Sequence, residues 1–250
     1  MGHVIQELVS KSDDTEIVFC CDPRRRDSKS LFDITKVERN PSEVLDVYVD
    51  FTSPDAVVGN VELASKIGID SVIGTTGWYD HLDHVKRIAN EHGRRVLYAP
   101  NFSPGVNVLF HTAQNLAKLL ANFGYDVAVF EAHHTAKVDA PSGTAITLGN
   151  ILLKEMGKER LTYERRDKRA DAEIDVLGIR IGKVAGHHEV WFTPRESYSE
   201  RLILQHDIFN PEILGIGALI GVRWVAEAQK EPKAAGLYNF YEDVLELPKI

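Results

Sequence analysis

Thiols are scarce in this chain of 250 residues. Its two cysteines are the neighbours Cys20 and Cys21, and adjacent cysteines rarely bridge each other. The scarcity excludes a disulfide-built fold and a zinc framework made of thiolates. A reducing, cytoplasmic setting fits this composition best.

Basic charge and long apolar runs are also lacking. Lys and Arg number 29 against 37 Asp and Glu, so the formal net charge is −8. This balance argues against nucleic acid as the main partner, because phosphate binding usually needs a basic face. No apolar run reaches the length of a membrane span, and the first residues are not a signal peptide. We therefore expect neither nucleic acid nor membrane as a partner.

Short apolar runs alternate with amphipathic stretches in the first hundred residues. After a short helix near Gly2, the runs predict buried strands at Ile17–Cys21, Val47–Phe51, Ser71–Gly74 and Val96–Ala99. Helices are predicted between the last three, at Asp55–Ile67 and Tyr79–His92. This alternation predicts an α/β fold with a Rossmann-like, doubly wound parallel sheet.

The pattern changes near Asn101–Gly105. The second block has predicted helices at 106–120 and Ser142–Met156, and predicted strands at Tyr125–Glu131, Ile174–Ile181, Glu189–Thr193 and Arg201–Ile208. A last helix is predicted near Gly215–Gln229. This block reads as an α+β domain with an antiparallel or mixed sheet.

Polar and glycine residues follow each predicted strand of the first block. They are Asp22, the run Asp50–Thr52, the run Gly74–Gly77, and the run Ala99–Phe102. Ligands of open α/β sheets bind beyond the carboxyl ends of the strands. Each segment alone could be an ordinary turn, but four on consecutive strand ends favour a binding site.

Three arginines, Arg24–Arg26, stand directly after Asp22. A carboxylate at this place can bind the ribose of NAD, and arginine can hold the 2′-phosphate of NADP. The alternative is a solvated basic turn. We predict the use of both cofactors.

The segment Glu131–Ala145 concentrates groups that handle protons and anions. Ser142 can cap a helix whose first residues, Gly143 and Thr144, then form an anion site. Lys137 adds an ammonium. His133 is the natural acid–base group, and His134 can donate to a carboxylate. A lone histidine after a strand would more often be structural, but this convergence favours a functional site.

A metal centre is the competing interpretation of the histidine pairs 133–134 and 187–188. Adjacent residues on a strand point to opposite faces, so each pair supplies one ligand at best, and no carboxylate spacing completes a site. We expect no metal, and we expect Arg180 and His188 to line the anionic pocket or to hold its loop.

The segment resembles the signature of the 4-hydroxy-tetrahydrodipicolinate reductase (dihydrodipicolinate reductase) family, E-x-H-H-x-x-K-x-D-x-P-S-G-T-A. Further similarity covers nearly the whole chain, at Asp50–Thr52, Gly74–Gly77, Pro100–Ser103, Gly105–Asn107, Arg180–His188 and Gly236–Leu245.

The resemblance implies NADH- or NADPH-dependent reduction of a cyclic dicarboxylate, with loss of water, in lysine and diaminopimelate biosynthesis. By motif, His133 corresponds to the acid–base residue and Lys137 to the proton donor, while His134, Gly143 and Thr144 correspond to substrate-binding positions. The cofactor-binding residues implied, together with Asp22, are Gly74, Thr75, Thr76, Ala99, Pro100, Asn101 and Phe102. A homotetramer is implied, with a dinucleotide-binding domain at 1–103 and 209–250 and a substrate-binding and oligomerisation domain at 104–208.

Two segments depart from the family pattern. The family opens with a strand and a G-x-x-G-R-M-G turn, and Met1-Gly2 aligns with the end of that turn. We therefore expect a sheet without its first strand. At Gln205–Leu214, only His206 of the usual T-H-x-A-x-S-R pattern remains. Two alternatives stay open: a metabolite-sensing homologue that has lost turnover, and a different Rossmann-type dehydrogenase that acts on an amino acid.

Overall fold

The computed structural model describes residues 1–18, 20, 45–164, 168–196, 199–227 and 234–245. By their contacts these residues divide into two units. The first contains the described residues up to Phe102 and those from Leu214 on, and the second contains Ser103–Ile213. None of the helices in these ranges is both long and apolar enough to cross a membrane.

Helices and strands alternate in the first part of the described residues, and four strands then follow in succession before the last helix. In chain order they are α1 (Gly2–Val9), β1 (Val47–Asp50), α2 (Pro54–Lys66), β2 (Asp70–Ile73), a 3₁₀ turn (Tyr79–His81), α3 (Leu82–Glu91), β3 (Arg95–Tyr98), α4 (Pro104–Ala121), β4 (Tyr125–His133), α5 (Gly143–Glu155), β5 (Arg160–Thr162), β6 (Glu173–Arg180), β7 (Gly186–Pro194), β8 (Leu202–Ile208), α6 (Glu212–Glu227), β9 (Gly236–Asn239) and a π-helical turn (Phe240–Val244).

The sheet of the first unit is parallel, with strand order β1-β2-β3-β9. Successive side chains of its strands point to opposite faces. Val72 and Leu97 pack with residues of α1 and α6, whereas Ile73 and Val96 pack with residues of α2 and α3. Helices therefore cover both faces, and the predicted doubly wound α/β architecture is confirmed.

Helices α2 and α4 begin at the same dipeptide, serine followed by proline. Proline suits the first helical position, since its fixed φ is helical and its missing N–H would be unpaired there. At α4, the Ser103 hydroxyl also accepts a hydrogen bond from the Val106 N–H at 3.3 Å. The helix thus starts directly after the loop that follows β3.

The sheet of the second unit has strand order β5-β6-β4-β7-β8. Helices α4 and α5 pack on one face, where their apolar residues join those of β4, β6 and β7 in one core. No described helix of this unit packs on the other face, which carries partly exposed apolar side chains such as Ile179 and Ile203.

Strand directions in this sheet differ from an all-antiparallel arrangement. Strand β6 is parallel to both β4 and β5, whereas β4, β7 and β8 are antiparallel neighbours. The sheet is therefore mixed. Alternating hydrophobicity reports that one face is buried, and it carries no information on the direction of the neighbouring strand.

The strand predicted at Ile17–Cys21 is wrong for the residues that are described. Ile17, Val18 and Cys20 lie in no strand, while Phe19 and Cys21 lie outside the described residues. A β-strand needs a ladder partner, and β1 pairs only with β2 among the described strands. The sequence reading also missed β9, because four residues are too few to show a period.

Glycine at position 217 allows α6 to pack closely on the strand end. A Cβ there would lie 1.7 Å from the carbonyl oxygen of Phe102, so Gly217→Ala should lower the free energy of unfolding by about 1–3 kcal/mol through overpacking. Gly59→Ala is the control, because Gly59 lies in α2 with no atom within 4 Å of an added Cβ. It should stabilise by about 0.5–1 kcal/mol. Equal urea midpoints for the two variants would contradict this packing.

Candidate functional site

The carboxyl ends of β1, β2 and β3 meet at one edge of the parallel sheet. Ile73 pairs with Asp50 on one side and with Tyr98 on the other, so the loops after these three residues are neighbours. The predicted segments Gly74–Thr76 and Ala99–Phe102 are two of these loops. The fold therefore brings them together at the ligand-binding edge of an α/β sheet.

A buried carboxylate joins two of these loops. The Asp50 side chain is fully buried; its Oδ1 accepts from the Thr52 N–H, the Thr52 hydroxyl and the Thr75 hydroxyl at 2.7–2.8 Å. Its Oδ2 accepts from the Tyr48 hydroxyl and the Asn60 amide. Because five protein donors occupy its oxygens, Asp50 holds the loops in place and does not face a ligand.

Within the loop after β2, the three predicted residues differ in role. A Cβ at Gly74 would lie 2.1 Å from the ring of Phe51, so only glycine fits the close passage of this backbone. Thr75 is buried on Asp50, whereas Thr76 is exposed. Thr76 and the backbone are therefore the accessible parts of this loop.

The loop after β3 shows a similar division. Ala99 and Phe102 are buried, and the Phe102 ring packs 5.0 Å from that of Phe240. Pro100 and Asn101 are partly exposed. Phe102 thus packs the end of the loop into the core, while the middle of the loop stays accessible. The predicted residue Asp22 and the arginines Arg24–Arg26 lie outside the described residues.

The second predicted site lies at the carboxyl end of β4. His133 is buried at the end of the strand, and His134 is half-buried in the loop that follows. The Ser142 hydroxyl accepts from the Ala145 N–H at 3.2 Å and caps α5 as predicted. A Cβ at Gly143 would meet no atom within 4 Å. The first turn of α5, at Gly143 and Thr144, therefore offers an open helix N-terminus, which favours anions.

Lys137 lies in the same loop with its ammonium on a carboxylate. Its Nζ donates to Oδ1 and Oδ2 of Asp139 at 2.7 and 2.8 Å. Partial burial of Asp139 opposes ionisation of its carboxyl group. The contact with Lys137 outweighs burial and lowers the pKa of Asp139. Asp139 thus pairs with the ammonium of Lys137, so an incoming anion must compete with it.

Glu131 is the residue of this site to which the sequence reading assigned no role. Its side chain is fully buried, and its Oε1 accepts from the Ser142 N–H at 2.8 Å and from both Nη atoms of Arg180 at 3.1 Å. Arg180 Nη2 also donates to the carbonyl of Asp139. Strand β4, strand β6 and the start of α5 are therefore joined by one carboxylate.

The other oxygen of Glu131 faces histidines. Its Oε2 lies 3.1 Å from Nδ1 of His133 and 4.0 Å from Nε2 of His188. Burial opposes ionisation of Glu131, but its contacts with His133 and Ser142 outweigh burial and hold its pKa at about 2. Burial, together with the electrostatic influence of the neighbouring His133, lowers the pKa of His188 to about 3. Glu131 is charged and His188 is neutral near pH 7.

Glu131, His133 and His188 also form the group of residues that could hold a metal ion, with donor atoms within 4.8 Å of one another. The expectation that no carboxylate accompanies the histidines is therefore wrong. Residues two apart on a strand share a face, and strand pairing places His188 directly opposite Glu131. Pairing between distant strands cannot be read from spacing along the chain.

Comparison with known proteins identifies relatives of both units. Residues 1–102 match the family model described as dihydrodipicolinate reductase, N-terminus, and residues 105–245 match the one described as dihydrodipicolinate reductase, C-terminus. The 4-hydroxy-tetrahydrodipicolinate reductase of Methanopyrus kandleri is 38% identical over 82% of this chain and 73% of its own length. That of Methanosarcina barkeri is 33% identical over 99% of this chain and 95% of its own length.

Among solved structures, a dipicolinate-bound dihydrodipicolinate reductase from Paenisporosarcina sp. TG-14 has the same fold. Its TM-score is 0.68 at 21% identity, with 97% of this chain and 94% of that chain covered. None of these comparisons supports a sensing protein without turnover.

The ionised Glu131 should make stability depend on pH. Its pKa in the folded chain lies near 2, below its usual 4.5. Its contribution, on the order of 3 kcal/mol, is therefore complete above pH 4.5 and is lost as pH falls towards 2. Urea unfolding of the unchanged protein and of Glu131→Gln between pH 6 and 3 measures it. The difference between the two should shrink as pH falls, and parallel curves would contradict the ionised state.

Proposed function

This chain belongs to the dihydrodipicolinate reductase family, and we propose from that premise which of its residues carry the reaction. The enzyme uses a nicotinamide cofactor to reduce 4-hydroxy-tetrahydrodipicolinate, with loss of water, in lysine and diaminopimelate biosynthesis. The observation that carries the assignment of residues is the loop after β4. There a buried histidine, an ammonium and an open helix N-terminus occur within one short segment.

The substrate is a dianion, and two kinds of group in this loop suit its carboxylates. The N-terminus of α5 at Gly143 and Thr144 binds one carboxylate through backbone donors and the helix dipole. Lys137 and His134 bind the other, since a buried carboxylate needs charged donors to replace water. In support, the related enzyme from Paenisporosarcina binds dipicolinate, a dicarboxylate.

Proton transfer falls to Lys137 and His133. Loss of the substrate hydroxyl as water puts one proton on the leaving oxygen and releases one from the ring, so it consumes none overall, and addition of hydride to the ring is balanced by one proton. Lys137 leaves Asp139 to approach the substrate and donates a proton, and His133 acts as the acid–base group at the end of β4. Asp139 then takes no part in binding the substrate.

The first unit binds the cofactor in this proposal, and the second unit binds the substrate. The loops after β2 and β3 fit a nicotinamide cofactor because Thr76, Pro100 and Asn101 are accessible at adjacent strand ends. A bound nicotinamide supplies the hydride. We infer the use of both NADH and NADPH from Asp22 and from Arg24–Arg26 in the sequence. We also propose a cytoplasmic location, where adjacent thiols stay reduced.

Replacement of the acid–base residues tests these roles. His133→Gln should lower kcat by about 10²–10⁴-fold, the usual contribution of a positioned acid–base group, and Lys137→Met should lower kcat and raise KM. Oxidation of NADH and of NADPH, each followed with freshly prepared substrate, measures both. His92→Gln is the control, because His92 is exposed at the end of α3. Unchanged turnover in His133→Gln would remove the acid–base role.

The uncovered face of the second sheet supports a homotetramer. It carries Ile179, which is 58% exposed, and Ile203, which is 39% exposed. The rings of Phe130 and Trp191 lie 4.7 Å apart on it, with the Arg201 guanidinium 4.1 Å above the Trp191 ring. Apolar and aromatic residues grouped on one exposed face are typical of an interface between subunits.

A charge placed on this face should dissociate the assembly. We expect the unchanged protein to have a solution mass near four times its chain mass of 28.0 kDa. Ile179→Asp should shift that mass towards the monomer or dimer, since a buried unpaired charge is costly. Light scattering after gel filtration measures it. The control is Leu119→Asp, because Leu119 is 60% exposed on α4; equal masses for both variants would contradict this interface.

A further inference from the structure

The two oxygens of the Glu131 carboxylate have different surroundings. Oε1 has its full set of donors, from the Ser142 N–H and from Arg180. Oε2 accepts no aligned hydrogen bond from the described residues, yet it lies 3.1 Å from Nδ1 of His133. A buried anionic oxygen at that distance from an imidazole favours a proton on the facing nitrogen.

The neighbouring strands leave space for the Glu131 carboxylate. Glu131 pairs with Gly178 of β6 and with His188 of β7. A Cβ at Gly178 would lie 2.6 Å from Oε1, so glycine makes the space that the carboxylate occupies. Two positions further along β4 and β6, His133 pairs with Arg180. The register therefore brings carboxylate, imidazole and guanidinium together on the helix-covered face.

His133 is the nearest imidazole to Oε2, at 3.1 Å against 4.0 Å for His188. His188 is neutral near pH 7, since its pKa lies near 3, and burial lowers the pKa of His206 on β8. Arg180 is permanently charged but contacts Oε1. On the loop side, Lys137 is bound to Asp139. Among the described groups that surround Glu131, His133 is thus the one whose ring nitrogen is placed to face Oε2.

We propose that Glu131 is the positioning residue of His133. It holds the proton of the neutral imidazole on Nδ1, so that Nε2 is the nitrogen that exchanges protons during the reaction. Nε2 lies on the side of Gly186, where an added Cβ would stand 3.4 Å from it. Arg180 fixes Glu131 and, through the carbonyl of Asp139, the loop that carries Lys137. This inference rests on the acid–base role proposed above for His133.

A divalent cation is the competing occupant of the same group. Two histidines and a carboxylate form a common metal-binding set. Against it, the Arg180 guanidinium already contacts the carboxylate at 3.1 Å, so its charge is balanced and a dication would be repelled. The positioning role uses the existing contacts without a further charge.

The variant Glu131→Gln tests whether Glu131 positions His133 or only supports the fold and substrate binding. The amide oxygen of glutamine still accepts from the Ser142 N–H and Arg180, but its NH₂ group now points a donor at Nδ1 of His133. That donor favours the opposite tautomer, with the proton on Nε2. We expect kcat to fall by about 100-fold or more, while KM changes by less than about threefold. Loss of the fold or of substrate binding would instead raise KM or remove all activity.

Glu189→Gln is the matched control. Glu189 lies on the opposite face of the same sheet, and its Oε1 stands 3.1 Å from Nε2 of His187, which is the distance between Glu131 and His133. Both variants therefore remove a carboxylate charge that faces a histidine at the same distance, and His187 also contacts Asp207. Glu189→Gln should keep kcat within about twofold. Glu131→Asp, which retains the charge, should recover part of kcat and serves if Glu131→Gln does not fold.

Magic-angle-spinning spectra of ¹⁵N-histidine-labelled protein at pH 8 report the tautomer directly, with the His133 signals assigned by their absence in His133→Gln. In the unchanged protein Nδ1 should carry the proton, and in Glu131→Gln Nε2 should carry it. An unchanged tautomer, an unchanged kcat, or stoichiometric zinc in the purified protein would each overturn the proposal. The His133→Gln assay judges the proposed function separately, because it does not depend on Glu131.

Discussion

The buried contact of the Glu131 carboxylate with Ser142 and Arg180 is the constraint on which the second unit's site depends. One oxygen joins β4, β6 and the first residue before α5. If this charge were unpaired, its burial would be prohibitive, so the strand register, the helix start and the loop between them must form together. His133 and the start of α5 are consequently placed by a single interaction.

The first unit uses the same physical device with neutral donors. Asp50, at the carboxyl end of β1, accepts five hydrogen bonds and thereby joins the turn after β1 to the loop after β2. Backbone and hydroxyl donors stabilise a buried carboxylate because they replace its lost water. In both units, a carboxylate at or near a strand end supports the loops that follow.

Local patterns predicted most elements well because they depend on local physics. The helix predicted at Asp55–Ile67 is observed at Pro54–Lys66, and the one predicted at Ser142–Met156 at Gly143–Glu155. Prediction failed for features that depend on which strands pair with each other. The run at Ile17 forms no strand among the described residues, and the parallel direction of β6 could not be read from its alternation. Ladder partners are distant in sequence, so composition and period do not specify them.

By itself the sequence determined the chemical inventory and its local geometry: the cap at Ser142, the open helix start at Gly143, the lysine in the loop, and the motif that marks the family. The tertiary structure alone decided which groups face one another. Glu131 contacts His133 because alternate residues share a strand face, but Arg180 and His188 reach it only through strand pairing. Hydrogen bonds between strands act across any sequence separation, and they bring residues that are distant along the chain together in one site.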